Sequence, residues 1–204
     1  MRRVTIHRRV AAGCLALAVL ASPALGETAP AEKPNGPAHA YLLKGFMNVF
    51  SGGLDPLADK LRRRGIRASL HNHAEWDTLA EQAIASCKSG REGSLILIGH
   101  SLGADGVLSM AARLDRAHVK VGLVATLDPS NRTTVPGNVS RLANYYLSDG
   151  VGVPVAPGAG FHGTLRNEDM KGHPEIGHVS LVSSEAVQRQ IVGYAVAAAS
   201  SPCR

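Results

Sequence analysis

From residue 40 onward, the hydrophobic positions follow two alternating periods. Short, mostly apolar runs predict strands. Between these runs, apolar residues recur at three- and four-residue spacing, which predicts amphipathic helices. The predicted strands are residues 40–44, 66–70, 94–98, 121–127 and 142–147. The helical stripes are Leu54, Leu57, Ala58 and Leu61; Trp76, Leu79, Ala80, Ala83 and Cys87; Ala104, Val107, Leu108 and Ala111; and Val187, Ile191, Tyr194 and Ala198.

Strands that alternate with single helices predict an α/β fold, with a mostly parallel sheet and helices on both faces. The 204 residues fit one domain. Residues 148–176 hold many glycines and prolines and are predicted to form a long loop. Long loops in compact domains are usually functional.

The first 26 residues predict a secretory signal peptide. Residues 1–9 carry four arginines and no acidic residue, residues 10–21 are apolar, and cleavage is expected after Gly26. The apolar run is shorter than the roughly 20 residues of a spanning helix, so no stable membrane span is expected after cleavage. Residues 27–39 are interpreted as a flexible lead-in and residues 40–204 as the folded domain. This organisation predicts a periplasmic or secreted protein.

Removal of the signal peptide changes the charge of the chain. The formal net charge is +6, but four of the 22 basic residues lie in the signal, so the mature chain carries +2. No basic face for nucleic acid is therefore expected. A cationic cluster, Lys60 with residues 62–64, is interpreted as the end of a helix, where cations favour the helix dipole.

Two cysteines, Cys87 and Cys203, remain in the mature chain. An oxidising compartment allows a bond between them. Cys87 also falls on the apolar face of a predicted helix, where a buried thiol behaves as a small hydrophobic residue. Both interpretations stay open from the sequence.

The strongest chemical signal is Gly99-His100-Ser101-Leu102-Gly103. It follows a predicted buried strand directly and opens a predicted helix, as a nucleophile elbow requires. Such a sharp turn needs small flanking residues, and both are glycine. The pattern predicts Ser101 as a nucleophile, with the Leu102 backbone N–H facing a developing oxyanion.

A serine nucleophile needs a base and an acid, which on this type of fold follow in the order serine, acid, histidine. Asp128 directly follows the strand 121–127 and is the predicted acid, with Asp149 and Asp169 as alternatives. His178, shortly before the last helix, is the predicted base. His173 and His162 are its competitors.

The second oxyanion donor is expected in the loop after the first strand, at the Phe46 backbone N–H or, failing that, at Met47. His71 and His73 lie two residues apart at a strand end, but no third ligand follows at a recognisable metal spacing. The sequence therefore predicts neither a metal site nor a cofactor.

The order of elbow, strand-ending Asp128 and late His178 resembles the α/β-hydrolases, in particular their small lipase- and thioesterase-like members. The resemblance covers residues 41–198. It implies a minimal α/β-hydrolase fold without a helical cap, in which the loop 148–176 partly covers the site. It also implies a serine hydrolase that cleaves a small or lipid-like acyl ester, or a thioester. The alternative is a catalytically silent scaffold that binds a ligand or partner.

Overall fold

The computed structural model describes residue 1, residues 36–46 and residues 52–204. Residues 2–26 of the predicted signal peptide, most of the lead-in and Met47 lie outside these residues. Within them, no helix is both long and apolar enough to cross a membrane.

The chain builds a six-stranded sheet in the order β2-β1-β3-β4-β6-β8, in which every pair of neighbours is parallel. This confirms the predicted α/β class. The strands of this sheet are β1 (Ala38–Lys44), β2 (Arg67–Asn72), β3 (Ser94–His100), β4 (Leu123–Leu127), β6 (Arg141–Tyr146) and β8 (Thr164–Asp169). Two short strands, β5 (Thr134–Val135) and β7 (Ala156–Pro157), pair separately.

In the described residues, four α-helices cover the two faces of the sheet. They are α1 (Leu54–Arg62), α2 (Trp76–Lys88), α3 (Leu102–Arg116) and α4 (Glu185–Ala198). Single turns of 3₁₀ helix, His73–Glu75 and Leu181–Ser183, precede α2 and α4.

The central strands explain why the apolar runs are continuous. In β3, Ile96 and Ile98 pack into the core shared with α1 and α4, while Leu95 and Leu97 pack into the core shared with α2 and α3. Successive side chains of a strand point to opposite faces, so a strand covered on both sides needs apolar residues at every position. All seven residues of β3 are buried.

One sequence prediction differs from the structure. Residues 148–176 are not a continuous loop, because they contain β7 and the edge strand β8. β8 pairs with β6 from Arg141↔Thr164 to Tyr146↔Asp169. Its sequence, TLRNED, is largely exposed, since an edge strand has one free side.

The carboxyl ends of β1, β3 and β4 meet at one edge of the sheet, as they must when neighbouring strands run parallel. β1 is followed by Gly45 and Phe46, β3 by Ser101, and β4 by Asp128. In parallel α/β sheets this edge is where ligands bind.

Candidate active site

Ser101 occupies a turn with a strained backbone between β3 and α3. Its φ of 57° and ψ of −126° lie in a region that residues with a side chain rarely adopt. A Cβ atom at Gly99 would lie 2.1 Å from the Gly103 oxygen, and one at Gly103 would lie 2.0 Å from the Leu43 oxygen. Both flanking positions therefore require glycine, because the turn brings α3 into contact with β3 and β1.

Asp128 stands directly after β4 and is fully buried. Its backbone N–H donates to the Tyr145 oxygen at 2.7 Å, and its Oδ1 accepts from the Leu147 N–H at 2.9 Å. The other carboxylate oxygen, Oδ2, lies 2.5 Å from His178 Nδ1. Two contacts thus fix the orientation of this carboxylate, and a third holds the backbone that carries it.

His178 contacts both Asp128 and Ser101. With Asp128 Oδ2 as acceptor, His178 Nδ1 is the donor, which leaves Nε2 as an acceptor. The Ser101 hydroxyl, 3.1 Å from Nε2, can then donate to it. The structure therefore brings together all three residues that the sequence predicted for catalysis, in the connectivity that a serine nucleophile requires.

His100, the residue before Ser101, contacts the backbone of His178. The sequence did not predict that His100 takes part in the site. It is fully buried, and its Nε2 donates to the backbone oxygen of His178 at 2.8 Å. The centroids of the two imidazole rings are 4.9 Å apart. Burial lowers the pKa of His100, which favours a neutral ring beside His178. The only sequence signal was a histidine at the variable position of the Gly-x-Ser-x-Gly motif.

Asp105 holds the loop that follows Asp128. Its carboxylate accepts from the Ser130 hydroxyl at 2.7 Å and from the Asn131 backbone and side-chain N–H groups at 3.1 and 2.8 Å. Because Asp105 lies in the first turn of α3, it links the acid-bearing loop to the helix that begins after Ser101. No local sequence pattern identified this contact.

The two predicted oxyanion donors lie at the same sheet edge. Leu102 is the first residue of α3, where backbone N–H groups have no acceptor within the helix. Phe46 follows β1 by two residues, and its side chain is exposed. The alternative donor, Met47, lies outside the described residues.

The alternative acids and bases lie elsewhere. Asp169 accepts from the Ser148 and Lys171 backbone N–H groups, and hydrogen bonds to Ser148 and Lys171 lower its pKa. His173 lies 3.7 Å from Glu175, and both Asp149 and His162 are exposed. Within the described residues, none of these four side chains is hydrogen bonded to Ser101 or His178.

A groove of about 650 Å³ lies beside His178. Residues of the segment 148–176 line this groove together with His178. Its apolar lining includes the buried Leu147 and Met170 and the partly buried Ile176.

His71 lies near the end of β2, and His73 opens the 3₁₀ turn that follows it. His71 Nε2 contacts the Ser69 hydroxyl at 2.7 Å. Across the described part of the chain, no three histidine, cysteine or acidic side chains are arranged to hold a metal ion.

Comparisons with known proteins give structural but not sequence matches. No family model and no curated protein matches the chain. A cutinase-like protein from Cryptococcus sp. aligns with a TM-score of 0.54 at 13% identity, over 83% of this chain and 98% of that protein. Est1E from Butyrivibrio proteoclasticus aligns with a TM-score of 0.49 at 13% identity, over 79% and 89% of the two chains. An esterase domain from Rhodothermus marinus aligns with a TM-score of 0.47 at 15% identity, over 81% and 88%.

The six strands of the parallel sheet extend from residue 38 to residue 169, and the alignment with the cutinase-like protein covers 83% of this chain. The chain therefore has the α/β-hydrolase fold.

Proposed function

We propose that this chain is a serine hydrolase that cleaves a carboxylic ester, or a thioester, through an acyl-enzyme on Ser101. The observation that carries the proposal is the hydrogen-bonded series Ser101 Oγ, His178 and Asp128, with distances of 3.1 and 2.5 Å. The strained backbone of Ser101 adds to it, because such strain is characteristic of functional positions.

In the first half-reaction, Ser101 Oγ attacks the carbonyl carbon while His178 Nε2 takes the hydroxyl proton. The carbonyl oxygen becomes an oxyanion, which the Leu102 and Phe46 backbone N–H groups are proposed to stabilise. His178 then returns the proton to the departing alcohol or thiol, and the acyl group stays on Ser101.

In the second half-reaction, water replaces the alcohol. His178 takes a proton from the water as it attacks the acyl carbon, and returns it to Ser101 Oγ when the carboxylic acid leaves. Asp128 holds the imidazole in the required tautomer and stabilises its positive charge in both halves.

The test is covalent labelling with a fluorophosphonate, followed by intact mass and peptide mapping. One adduct on Ser101 is expected, and Ser101→Ala should abolish it. Ser69→Ala is a matched control, because Ser69 also contacts a histidine ring nitrogen but lies within a strand. A folded protein that acquires no adduct on Ser101 would refute the proposed function.

The acid role of Asp128 has its own test. Asp128→Asn is expected to lower kcat by up to ~10⁴-fold, because the amide no longer selects the His178 tautomer. Rates are measured on short-chain nitrophenyl esters, with the circular dichroism spectrum as the control for folding. An unchanged kcat would remove Asp128 from the mechanism.

We also infer that the protein is exported. The arginine-rich start and apolar run of residues 1–26 motivate this inference, and the disulfide between Cys87 and Cys203 supports it, since such bonds persist in oxidising compartments. Mass spectrometry of the protein from a periplasmic or culture fraction should give an amino terminus near Glu27. An intact Met1–Arg9 segment in the cytoplasmic fraction alone would refute export.

A further inference from the structure

A second concave surface lies between the end of α1 and the side of α4. It is a groove of about 380 Å³. Its residues are four cations and two residues without polar side chains: Lys60, Arg63, Arg64, Arg189, Val192 and Gly193. The groove contains none of the residues of the candidate active site.

The positive charge in this groove is only partly neutralised. Lys60 Nζ lies 2.7 Å from Glu185 Oε2 and donates to Gln188 Oε1, also at 2.7 Å. The hydrogen bond and charge of Lys60, with a smaller effect of Arg189, lower the pKa of Glu185, so this carboxylate stays ionised. In the described part of the chain, no acidic side chain forms an ion pair with Arg63, Arg64 or Arg189. The guanidinium groups of these three arginines therefore have no ion-pair partner among the described residues.

The helix dipole of α1 explains only part of this cluster. Arg63 is the C-cap of α1 and Arg64 follows it, so both lie where a helix dipole favours cations, whereas Arg189 does not. Arg62 lies in the last turn of α1, where it contacts Asp59 at 2.8 Å and donates to the Ala68 oxygen at 2.7 Å. Arg189 belongs to a different helix and is the fifth of the fourteen residues of α4, far from its C-terminal turn. Arginines from the end of α1 and from the side of α4 therefore line the same groove.

We propose that this groove binds an oxyanion of the phosphate class through Arg63, Arg64 and Arg189. The guanidinium group is a planar fork of N–H donors that matches the oxygens of phosphate, and it keeps its charge at every physiological pH. Val192 is almost fully buried, but Val196, one turn further along α4, is 40% exposed and extends an apolar surface from Gly193. This surface suits the apolar part of a phosphate-bearing amphiphile, such as an anionic phospholipid.

The direct test is a titration of the full-length protein with inorganic phosphate, observed through the arginine Nε–H signals in NMR spectra. Saturable shifts are expected for Arg63, Arg64 and Arg189. Each of Arg63→Gln, Arg64→Gln and Arg189→Gln should weaken phosphate binding by about tenfold, the effect of one lost charge-assisted hydrogen bond. Arg116→Gln is the matched control, because it removes the same charge from an exposed position on α3 outside the groove.

Vesicle binding distinguishes a lipid headgroup from a free phosphate or phosphate ester as the ligand. A lipid headgroup is assigned if the protein cosediments with phosphatidylglycerol vesicles but not with phosphatidylcholine vesicles. This cosedimentation must also be weaker in the three groove variants than in Arg116→Gln. Phosphate binding that depends on the groove arginines, with vesicle binding unaffected by them, assigns a free phosphate or phosphate ester.

The proposal is overturned if phosphate causes no saturable shifts, or if Arg116→Gln weakens binding as much as the groove variants. Binding of polyglutamate without binding of phosphate would also overturn it, because the ligand would then be an acidic polypeptide. Fluorophosphonate labelling of Ser101 should be unchanged in all four variants, which separates this test from that of the proposed function.

Discussion

Ser69 and Ser101 are each hydrogen bonded to a histidine that contacts a carboxylate, but their backbone conformations differ. Ser69 Oγ lies 2.9 Å from His39 Nε2, and His39 Nδ1 lies 2.7 Å from Glu92 Oε1, so Ser69, His39 and Glu92 repeat the connectivity of Ser101, His178 and Asp128. Ser69, however, lies inside β2, with no helix N-terminus beside it. Hydrogen-bond connectivity alone therefore does not define a nucleophile, because the oxyanion that forms also needs donors.

At the scale of single residues, His100 is expected to be a positioning residue. His100→Phe removes the donor to the His178 backbone oxygen and leaves a partly buried carbonyl unpaired, at a cost of about 1–3 kcal/mol. We expect kcat to fall by roughly 10- to 100-fold with little change in KM, since the base is displaced but the binding surface is not.

His100→Gln provides the control for this prediction, because its side-chain amide keeps an N–H donor in a similar place. Steady-state kinetics on an ester substrate should show most of the activity restored in His100→Gln. Equal kcat values for the phenylalanine and glutamine variants would show that the hydrogen bond to His178 does not matter.

At the scale of elements, the segment that follows β6 holds the Asp128 carboxylate in place. Gly152 packs so close to Asp128 that a Cβ atom there would lie 1.7 Å from Asp128 Oδ1. Gly152→Ala must therefore displace either this segment or the carboxylate. We expect the rate of Ser101 labelling by the fluorophosphonate to fall by about 10²-fold or more, a part of the loss expected on removing the acid.

Gly150→Ala is a matched control in the same segment, since its Cβ atom would approach only Leu147, at an ordinary contact distance of 3.6 Å. Its labelling rate should equal that of the unmodified protein. If Gly152→Ala and Gly150→Ala are labelled equally fast, the close approach to Asp128 has no functional role.

The elements also show how far the sequence alone could lead. β3 and α3 were predictable from the spacing of their apolar residues. A strand buried on both faces is apolar at every position, whereas a helix buried on one face is apolar at every third or fourth position. The elbow lies between these two elements. β8 was not, because its residues TLRNED are mostly exposed and its position depends on pairing with β6. The same limit applies to Gly152 and Asp105, whose contacts with Asp128 and its loop join residues distant in the sequence.

At the scale of the whole molecule, the disulfide between Cys87 and Cys203 closes a long loop. The two residues are separated by 116 positions, and loss of a native disulfide costs about 2–5 kcal/mol in the free energy of unfolding. The Cys87→Ala/Cys203→Ala double variant should therefore unfold at lower urea concentration, as should the reduced protein.

The same change should leave catalysis intact, because the bond lies at the opposite edge of the sheet from Ser101. Cys203 N–H donates to the Gly93 oxygen, directly before β3, and Cys203 oxygen accepts from Lys120 N–H, before β4. The labelling rate of Ser101 under native conditions is the measurement. An unchanged urea midpoint, or a loss of labelling in the folded variant, would contradict this prediction.

The position of Cys203 also determines at which edge of the sheet Arg204 lies. Arg204 is exposed and leaves the domain at the amino-terminal edge of the strands, whereas Ser101 faces the other edge. A protein attached to a bead or sensor chip through a tag after Arg204 would therefore present Ser101, the proposed nucleophile, to the solution. The disulfide would keep that attachment point tied to the domain.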